Sequence, residues 1–240
     1  VTTSPAFEAL LEVQAHDTRL DQLRHQLDAL PTREQRDGAA EALAATRASI
    51  EAEAAARDEL ARAQKRLDDE VELLEAKRKG FDAKLYGGTV SNPRELQDLQ
   101  EEIEALGRRI SQLEDEELAI MEQVEPIEAR LAELTTTEGQ RQAVLADAEE
   151  RLAAAEAEID ELVAAEVEAR RATAAAVPTE LIAEYDKLRT ARGGVGVARL
   201  VGSQCGGCHL TLSAMEVARL RKLPEGELAH CEECGRLLVP

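Results

Sequence analysis

The chain has 240 residues, a formal net charge of −20, 32% charged and 44% hydrophobic residues, only 2% aromatics and no tryptophan. Alanine, glutamate, leucine and arginine dominate, a composition that excludes a conventional globular core over most of the length and predicts long helices. The acidic balance repels nucleic acid along the bulk of the chain, and there is no run of ~18 apolar residues to cross a membrane.

The first helix is expected over about residues 5–84. Val13, His16, Leu20, Leu23, Leu27 and Leu30 recur at alternating spacings of three and four. A second series runs Leu43, Thr46, Ile50, Glu53, Arg57, Leu60, Gln64, Leu67, Val71, Leu74, Arg78, Phe81 and Leu85. This spacing is the seam of a left-handed coiled coil. The two series are out of phase by two residues across Pro31 to Gly38. A proline there lacks a backbone donor and crowds the preceding turn, so a kink or short break is expected at about 31–38. His16 reads as a tolerated polar seam residue rather than a metal ligand.

A turn comes next at about 86–92, Tyr86-Gly87-Gly88-Thr89-Val90-Ser91-Asn92. Asn92, Pro93 and Glu95 then stand as N-cap, first and third helical residues of a second helix, about 93–172. Its seam runs Leu96, Leu99, Ile103, Leu106, Ile110, Leu113, Glu117, Ile120, Val124, Ile127, Leu131, Leu134, Glu138, Arg141, Leu145, Ala148, Leu152, Ala155, Ile159 and Leu162. Two helices of equal length predict an intramolecular antiparallel hairpin, each arm about 120 Å long, with paired residue numbers summing to about 178. The break at 31–38 would then face Glu138 to Arg141 and form a hinge. Glu53, Arg57 and Gln64, near Glu117, read as polar seam positions that set register at a cost in stability. The hairpin satisfies its own seam, so a monomer is expected, with alanine-rich faces leaving a dimer open.

Pro178 opens a third helix, Thr179 to Arg192, whose Leu181, Ile182, Tyr185 and Leu188 share a face suited to docking the C-terminal segment. Arg192-Gly193-Gly194 ends it. The domain division predicted is 1–176, a coiled-coil hairpin, and 177–240, a docking helix with a small metal-bound domain.

All four cysteines fall in the last 36 residues, as Cys205-Gly206-Gly207-Cys208 and Cys231-Glu232-Glu233-Cys234, with 22 residues between the pairs. Two such pairs converge four thiolates tetrahedrally on one ion, and structural zinc is the reading, iron the alternative. Glycines at 206, 207 and 235 suit knuckle turns with positive φ. The chain starts without a charged segment followed by an apolar one, so no secretory signal is visible and a disulfide framework is not expected. Val195 to Val201, Leu210 to Leu212 and Arg236 to Val239 read as strands. Between them Ser213 caps a short helix with apolar positions Met215, Val217, Ala218 and Leu220, stopped at Pro224. So small a domain depends on its metal to fold. Four cysteine ligands leave no open coordination position, so a catalytic metal is not expected. His209 and His230 flank ligand positions as surface or supporting residues.

Charge is segregated. Residues 193–240 balance to zero, so the helical part carries the whole −20. Two basic clusters interrupt it: Lys77, Arg78, Lys79, Lys84 and Arg94 against Asp82 at the tip, beside Phe81 and Tyr86, and Arg189, Arg192, Arg199, Arg219, Arg221 and Lys222 against Glu216 at the metal domain. Both are candidate surfaces for phosphate or an acidic partner; solvated faces that complement helix dipoles are the alternative.

The tip, Tyr86-Gly87-Gly88-Thr89-Val90-Ser91-Asn92-Pro93-Arg94-Glu95-Leu96, and the ending Cys231-Glu232-Glu233-Cys234-Gly235-Arg236-Leu237-Leu238 resemble the bacterial C4-type zinc-ribbon coiled-coil family, over essentially the full chain. The resemblance implies a mainly α fold, a long kinked antiparallel coiled-coil hairpin with a small C-terminal zinc ribbon built on four cysteines. It implies structural Zn²⁺ on Cys205, Cys208, Cys231 and Cys234, and a non-enzymatic adaptor or regulator; a cytoplasmic location is expected because no apolar stretch of membrane length occurs. Partners in that family are nucleic acid (RNA or DNA) or protein; a purely protein-binding scaffold is the alternative reading.

Overall fold

The structure is a computed structural model that describes residues 4–88, 90–224, 227 and 229–240. Thr89 of the tip motif and Glu225 of the ribbon's charge balance lie outside the described residues. The elements are α1 (Pro5–Asp28), α2 (Pro31–Tyr86), α3 (Pro93–Ala174), α4 (Thr179–Ala191), β1 (Val197–Val201), β2 (Gln204–Cys205), α5 (Ala214–Leu220), β3 (Ala229–His230) and β4 (Leu237–Val239). They group into two compact units, Val1–Gln35 with Glu149–Pro240, and Arg36–Ala148.

In the unit Arg36–Ala148, α2 and α3 run antiparallel. Every expected α2 seam position from Leu43 to Leu85 is buried or half-buried, and so is every α3 position from Leu96 to Ala148. Leu106, Ile110 and Leu113 are the tightest stretch, Leu113 fully buried. Near the turn the pairing is as expected, with Lys77 bonded to Glu102 at 3.1 Å. Further in, α3 runs ahead: Gln64 donates to Glu117 at 2.9 Å, Arg130 pairs with Glu53 at 3.1 Å, and Arg141 donates to the Ala42 carbonyl at 2.6 Å and to Thr46. Polar seam residues thus find partners across the coil, except Arg57, which bonds Asp58 on its own helix. Pro126 sits inside α3 and does not interrupt it.

The break between the first two helices differs from the expectation of 31–38. α1 ends at Asp28, the Ala29 amide bonds back to the His25 carbonyl, and Pro31 is the first residue of α2. A proline is disfavoured inside a helix but is well suited to its first position, where its missing donor would be unpaired in any case. The polar stretch Glu138 to Arg141 belongs to the other unit. It faces Thr46 and Arg47, while Arg33, just after the break, pairs with Glu156 at 2.7 Å. The stretch expected opposite the break is thus paired with α2 residues further along the helix, within its own unit.

The seam also shifts at its end. Leu162 is 47% exposed, and after Ile159 the half-buried positions in α3 are Val163, Glu166, Ala169, Arg170, Thr173 and Ala174. Two successive four-residue steps return the phase towards the 3.6-residue period of a straight helix.

In the unit Val1–Gln35 with Glu149–Pro240, α1 buries two adjacent stripes. Leu20 and Leu23 continue the coil, whereas Phe7, Leu10, Val13, Gln14 and Asp17 turn towards α4 and the C-terminal sheet. That sheet has strand order β2-β1-β4-β3, with β1 and β4 parallel and β2 and β3 antiparallel to their neighbours. Its two faces lie in two cores. Val197, Leu237 and Val239 join Phe7, Leu10, Val13 and Tyr185; Ala198 and Leu238 join Cys205, Leu212, Val217, Leu220 and Cys231. Strands covered on both faces read as unbroken apolar runs, which is why Leu237-Leu238-Val239 shows no alternation. Leu181, Ile182 and Leu188 of α4 pack on the first core as the docking face predicted for them.

Two polar groups fix this docking. Gln14, 8% exposed, donates to the Gly194 carbonyl at 2.9 Å and accepts from the Gly196 amide at 2.7 Å, as a neighbouring strand would. Asp17, 5% exposed, accepts from Arg170 at 2.8 Å and from the Tyr185 hydroxyl at 2.7 Å.

Candidate metal centre and partner-facing surfaces

Each cysteine pair sits on a tight turn, and the two turns are built alike. The His209 amide donates to the Cys205 carbonyl at 2.8 Å and the Gly235 amide to the Cys231 carbonyl at 2.7 Å. The Cys205 amide donates to the Leu210 carbonyl at 3.1 Å and the Cys231 amide to the Arg236 carbonyl at 2.9 Å. The residue after each second cysteine takes positive φ: Gly235 at 72° and His209 at 61°. This corrects the role expected of Gly206 and Gly207, neither of which has positive φ. They are required for close approach instead. A Cβ on Gly206 would stand 2.8 Å from the Arg199 carbonyl oxygen, and one on Gly207 2.7 Å from the Arg236 side chain.

The four sulfur atoms lie within 4.8 Å of one another, with Cys205 to Cys234 and Cys208 to Cys231 both at 4.0 Å. A tetrahedron of thiolates around zinc, with bonds of ~2.3 Å, has edges of about 3.8 Å, so the cluster fits the ion with little adjustment. The Gly207 amide points at Cys205 Sγ, 3.4 Å away. Without metal, burial pushes the Cys231 thiol up to about 12, against amides that favour the thiolate. At Cys234 burial also opposes ionisation, but hydrogen bonds from Arg236 and the neighbouring thiols outweigh it and bring the group down to about 7. Zn²⁺ is the structural cofactor, and its bound charge, with four thiolates, comes to about −2.

The histidines lie elsewhere. His230 bonds Glu184 at 2.9 Å, and His16 bonds Glu166 at 2.6 Å and Thr173 at 3.3 Å within the coil. Around the centre Ser213 caps α5, accepting from the Glu216 amide at 3.1 Å. The helix turns Val217 and Leu220 inward but leaves Met215 82% exposed and Ala218 exposed. Periodicity alone puts Met215 and Ala218 on the apolar face; in the structure the inner place goes to Glu216, 5% exposed. Two bonds from Arg219 hold the Glu216 carboxyl below its usual range against the opposing effect of burial.

The basic cluster predicted at the ribbon is divided. Arg189 is bonded to Asp21 at 2.5 Å, Arg199 to Glu8, and Arg219 to Glu216. Arg192, Arg221 and Lys222 are exposed, with no carboxylate partner among the described residues. At the tip, Lys77 and Lys84 stand 5.4 and 5.8 Å from the centre of the Phe81 ring, Arg78 is half-buried, and Lys79, Lys84 and Arg94 are exposed. Tyr86 is 81% exposed. Asn92 Oδ1 accepts from the Arg94 amide at 3.1 Å and starts α3.

No helix among the described residues is long and apolar enough to cross a membrane. The Gln14 and Asp17 contacts were missed by sequence reasoning, which followed the coil seam alone. Their signal was an apolar and polar stripe at Phe7, Leu10, Gln14 and Asp17, offset by one position from the seam.

Comparison with known proteins agrees with this architecture. Uncharacterized protein Rv2229c of Mycobacterium tuberculosis is 30% identical over 238 residues, covering 96% of this chain and 94% of that protein. Uncharacterized protein ML1638 of Mycobacterium leprae is 29% identical over 235 residues, covering 92% and 94%. A Mycobacterium smegmatis structure matches with a TM-score of 0.87 at 24% identity, covering 99% of both chains. CT398 from Chlamydia trachomatis matches with a TM-score of 0.74 at 18% identity, covering 97% of this chain and 96% of its own. The family model of the CT398-like coiled coil hairpin domain matches residues 13–193, and that of the C4-type zinc ribbon domain residues 204–238. The chain therefore belongs to the CT398-like coiled coil hairpin family and carries a C4-type zinc ribbon at its C-terminal end.

Proposed function

We propose that this protein is a non-enzymatic, cytoplasmic zinc-binding adaptor that engages partners through its hairpin tip and its ribbon. The observation that carries the reading is Tyr86, 81% exposed at a turn where Lys79, Lys84 and Arg94 are also exposed. The coil does not need these side chains for its own packing, and exposed aromatic and basic residues together suit a binding surface. The zinc, closed by four thiolates, shapes the ribbon and offers no position for substrate. The thiols it needs are kept reduced in the cytoplasm.

Nucleic acid and protein are the two partner classes. The internal pairing of Arg189, Arg199 and Arg219 favours the protein scaffold at the ribbon, because fewer cations remain for phosphates. The test is binding of the zinc-loaded chain to single- and double-stranded RNA and DNA at two salt concentrations, beside pull-downs after nuclease treatment. Salt-sensitive binding lost in a Lys79→Glu/Arg94→Glu variant supports nucleic acid at the tip. Nuclease-resistant recovery of one defined protein, abolished by Tyr86→Ala, supports the protein scaffold. Absence of both results would overturn the adaptor reading.

A further inference from the structure

The ribbon has a second surface feature. A groove of about 900 Å³ beside α5 is lined by the apolar Leu212, Ala214, Val217 and Ala218, by Ser203 and Thr211, and by the cations Arg221 and Lys222. Leu212 and Val217 are held by the inner core of the ribbon, so that part of the lining is fixed. Arg221 reaches the Gly202 carbonyl at 3.3 Å but has no carboxylate partner among the described residues. Met215, 82% exposed, lies three residues before Ala218, hence beside it on the helix surface.

We propose that this groove binds an acidic segment of a partner protein that carries apolar side chains. The apolar lining takes apolar groups and excludes water from them. Arg221 and Lys222 meet the flanking carboxylates and set orientation and encounter rate. Met215 is an unbranched, polarizable side chain of the kind that adapts to varied apolar surfaces. A nucleic-acid strand fits the same groove poorly. Single strands are held by stacking on aromatic rings, and the chain's Phe7, Phe81, Tyr86 and Tyr185 all lie outside the lining. The tetrathiolate zinc nearby adds negative charge, which opposes a polyanion more than it opposes a short segment with a few carboxylates.

This inference rests on the ribbon being a partner-binding face, and its test leaves the tip intact so that the two readings fail separately. A displayed library of short random peptides is selected on the zinc-loaded full chain, with Arg221→Glu/Lys222→Glu used for counter-selection. Enriched peptides are titrated one by one, together with a single-stranded poly(U) RNA. The expected result is enrichment of sequences with Asp or Glu flanking Leu, Ile or Phe, binding at least about tenfold weaker to the double variant and to Ala218→Asp, and weakening with salt. Zinc content and thermal midpoint of the variants are measured alongside; zinc content should be unchanged, while the midpoint falls slightly because Arg221→Glu gives up the bond to the Gly202 carbonyl and negative charge near a helix C-terminus is unfavourable. Enrichment of basic or neutral peptides, no enrichment, or indifference to both variants would overturn the proposal. Poly(U) binding that depends on Lys222 and displaces the peptides would assign the groove to nucleic acid instead. A tip variant such as Tyr86→Ala should leave peptide binding unchanged.

Discussion

The Tyr185 hydroxyl donates to Asp17 Oδ2 at 2.7 Å across 168 positions of sequence, with the ring fully buried. Arg170 holds the same carboxylate from the other side, so one aspartate on α1 joins the end of α3 to α4. The ion pair is buried on the Asp17 side and serves position more than net stability, since desolvating two charges offsets much of their attraction.

Tyr185→Phe is expected to destabilise the protein by about 1–2 kcal/mol, the cost of one bond to a charged acceptor that keeps other partners. Burial, followed by the bond to Asp17, pushes the tyrosine above its ordinary range. A group raised in the folded state contributes stability that is complete below its unfolded value, near pH ~10, and is lost as pH rises beyond it. Urea denaturation of wild type should therefore weaken through the alkaline range while the phenylalanine variant stays flatter. Parallel pH profiles for the two would refute this.

Gly196→Ala should disturb ribbon docking more than its size suggests. A Cβ there would stand 2.7 Å from the Tyr185 carbonyl oxygen and 2.8 Å from its ring, and backbone cannot yield as a side chain tip can. Gln14→Leu tests the other half of the contact, since it leaves the Gly196 amide without its acceptor. Each change is expected to cost about 1–3 kcal/mol, read as loss of protection of the 194–197 amides in hydrogen exchange.

The two knuckles predict opposite responses at equivalent positions. Gly235→Ala places a Cβ at φ 72° and against Arg192, and should cost about 1–2 kcal/mol. His209→Gly relieves a side chain at φ 61° and should be neutral or stabilising by up to about 1 kcal/mol, because greater freedom in the unfolded chain offsets part of the gain. Thermal midpoints at saturating zinc decide both.

Removing zinc with a chelator is expected to melt the knuckles and α5 while sparing most helical signal. The core formed by Leu212, Val217, Leu220 and Leu238 includes the cysteines themselves, whereas the other face of the sheet rests on α1 and α4. Zinc must also displace the proton that burial keeps on Cys231, so binding should release protons and strengthen as pH rises. Circular dichroism and amide spectra across a chelator titration would show this; loss of the whole helical signal with the metal would contradict it.

The seam from Leu43 to Leu85 and from Leu96 to Ile159, the turn at Tyr86 to Asn92, the Ser213 cap and the four cysteine ligands were legible in the residues, because each is set by short-range spacing. Coil periodicity, capping and two CxxC turns need only neighbours along the chain. What sequence could not assign is which partner each polar or basic side chain meets. Arg189, Arg199 and Arg219 read as a free basic surface until Asp21, Glu8 and Glu216 were brought to them; two of those carboxylates lie more than 160 positions away. The same holds for Glu138 and Arg141, which meet Arg47 and Thr46, because a small drift in pairing accumulates along two long helices. Sequence thus determined the helices and the metal, both local in origin, and tertiary structure decided their mutual register, the short strands β2 and β3 in place of the one expected at Leu210 to Leu212, the two-faced burial of the ribbon sheet and the cations left for a partner, since these depend on contacts between residues far apart in the chain.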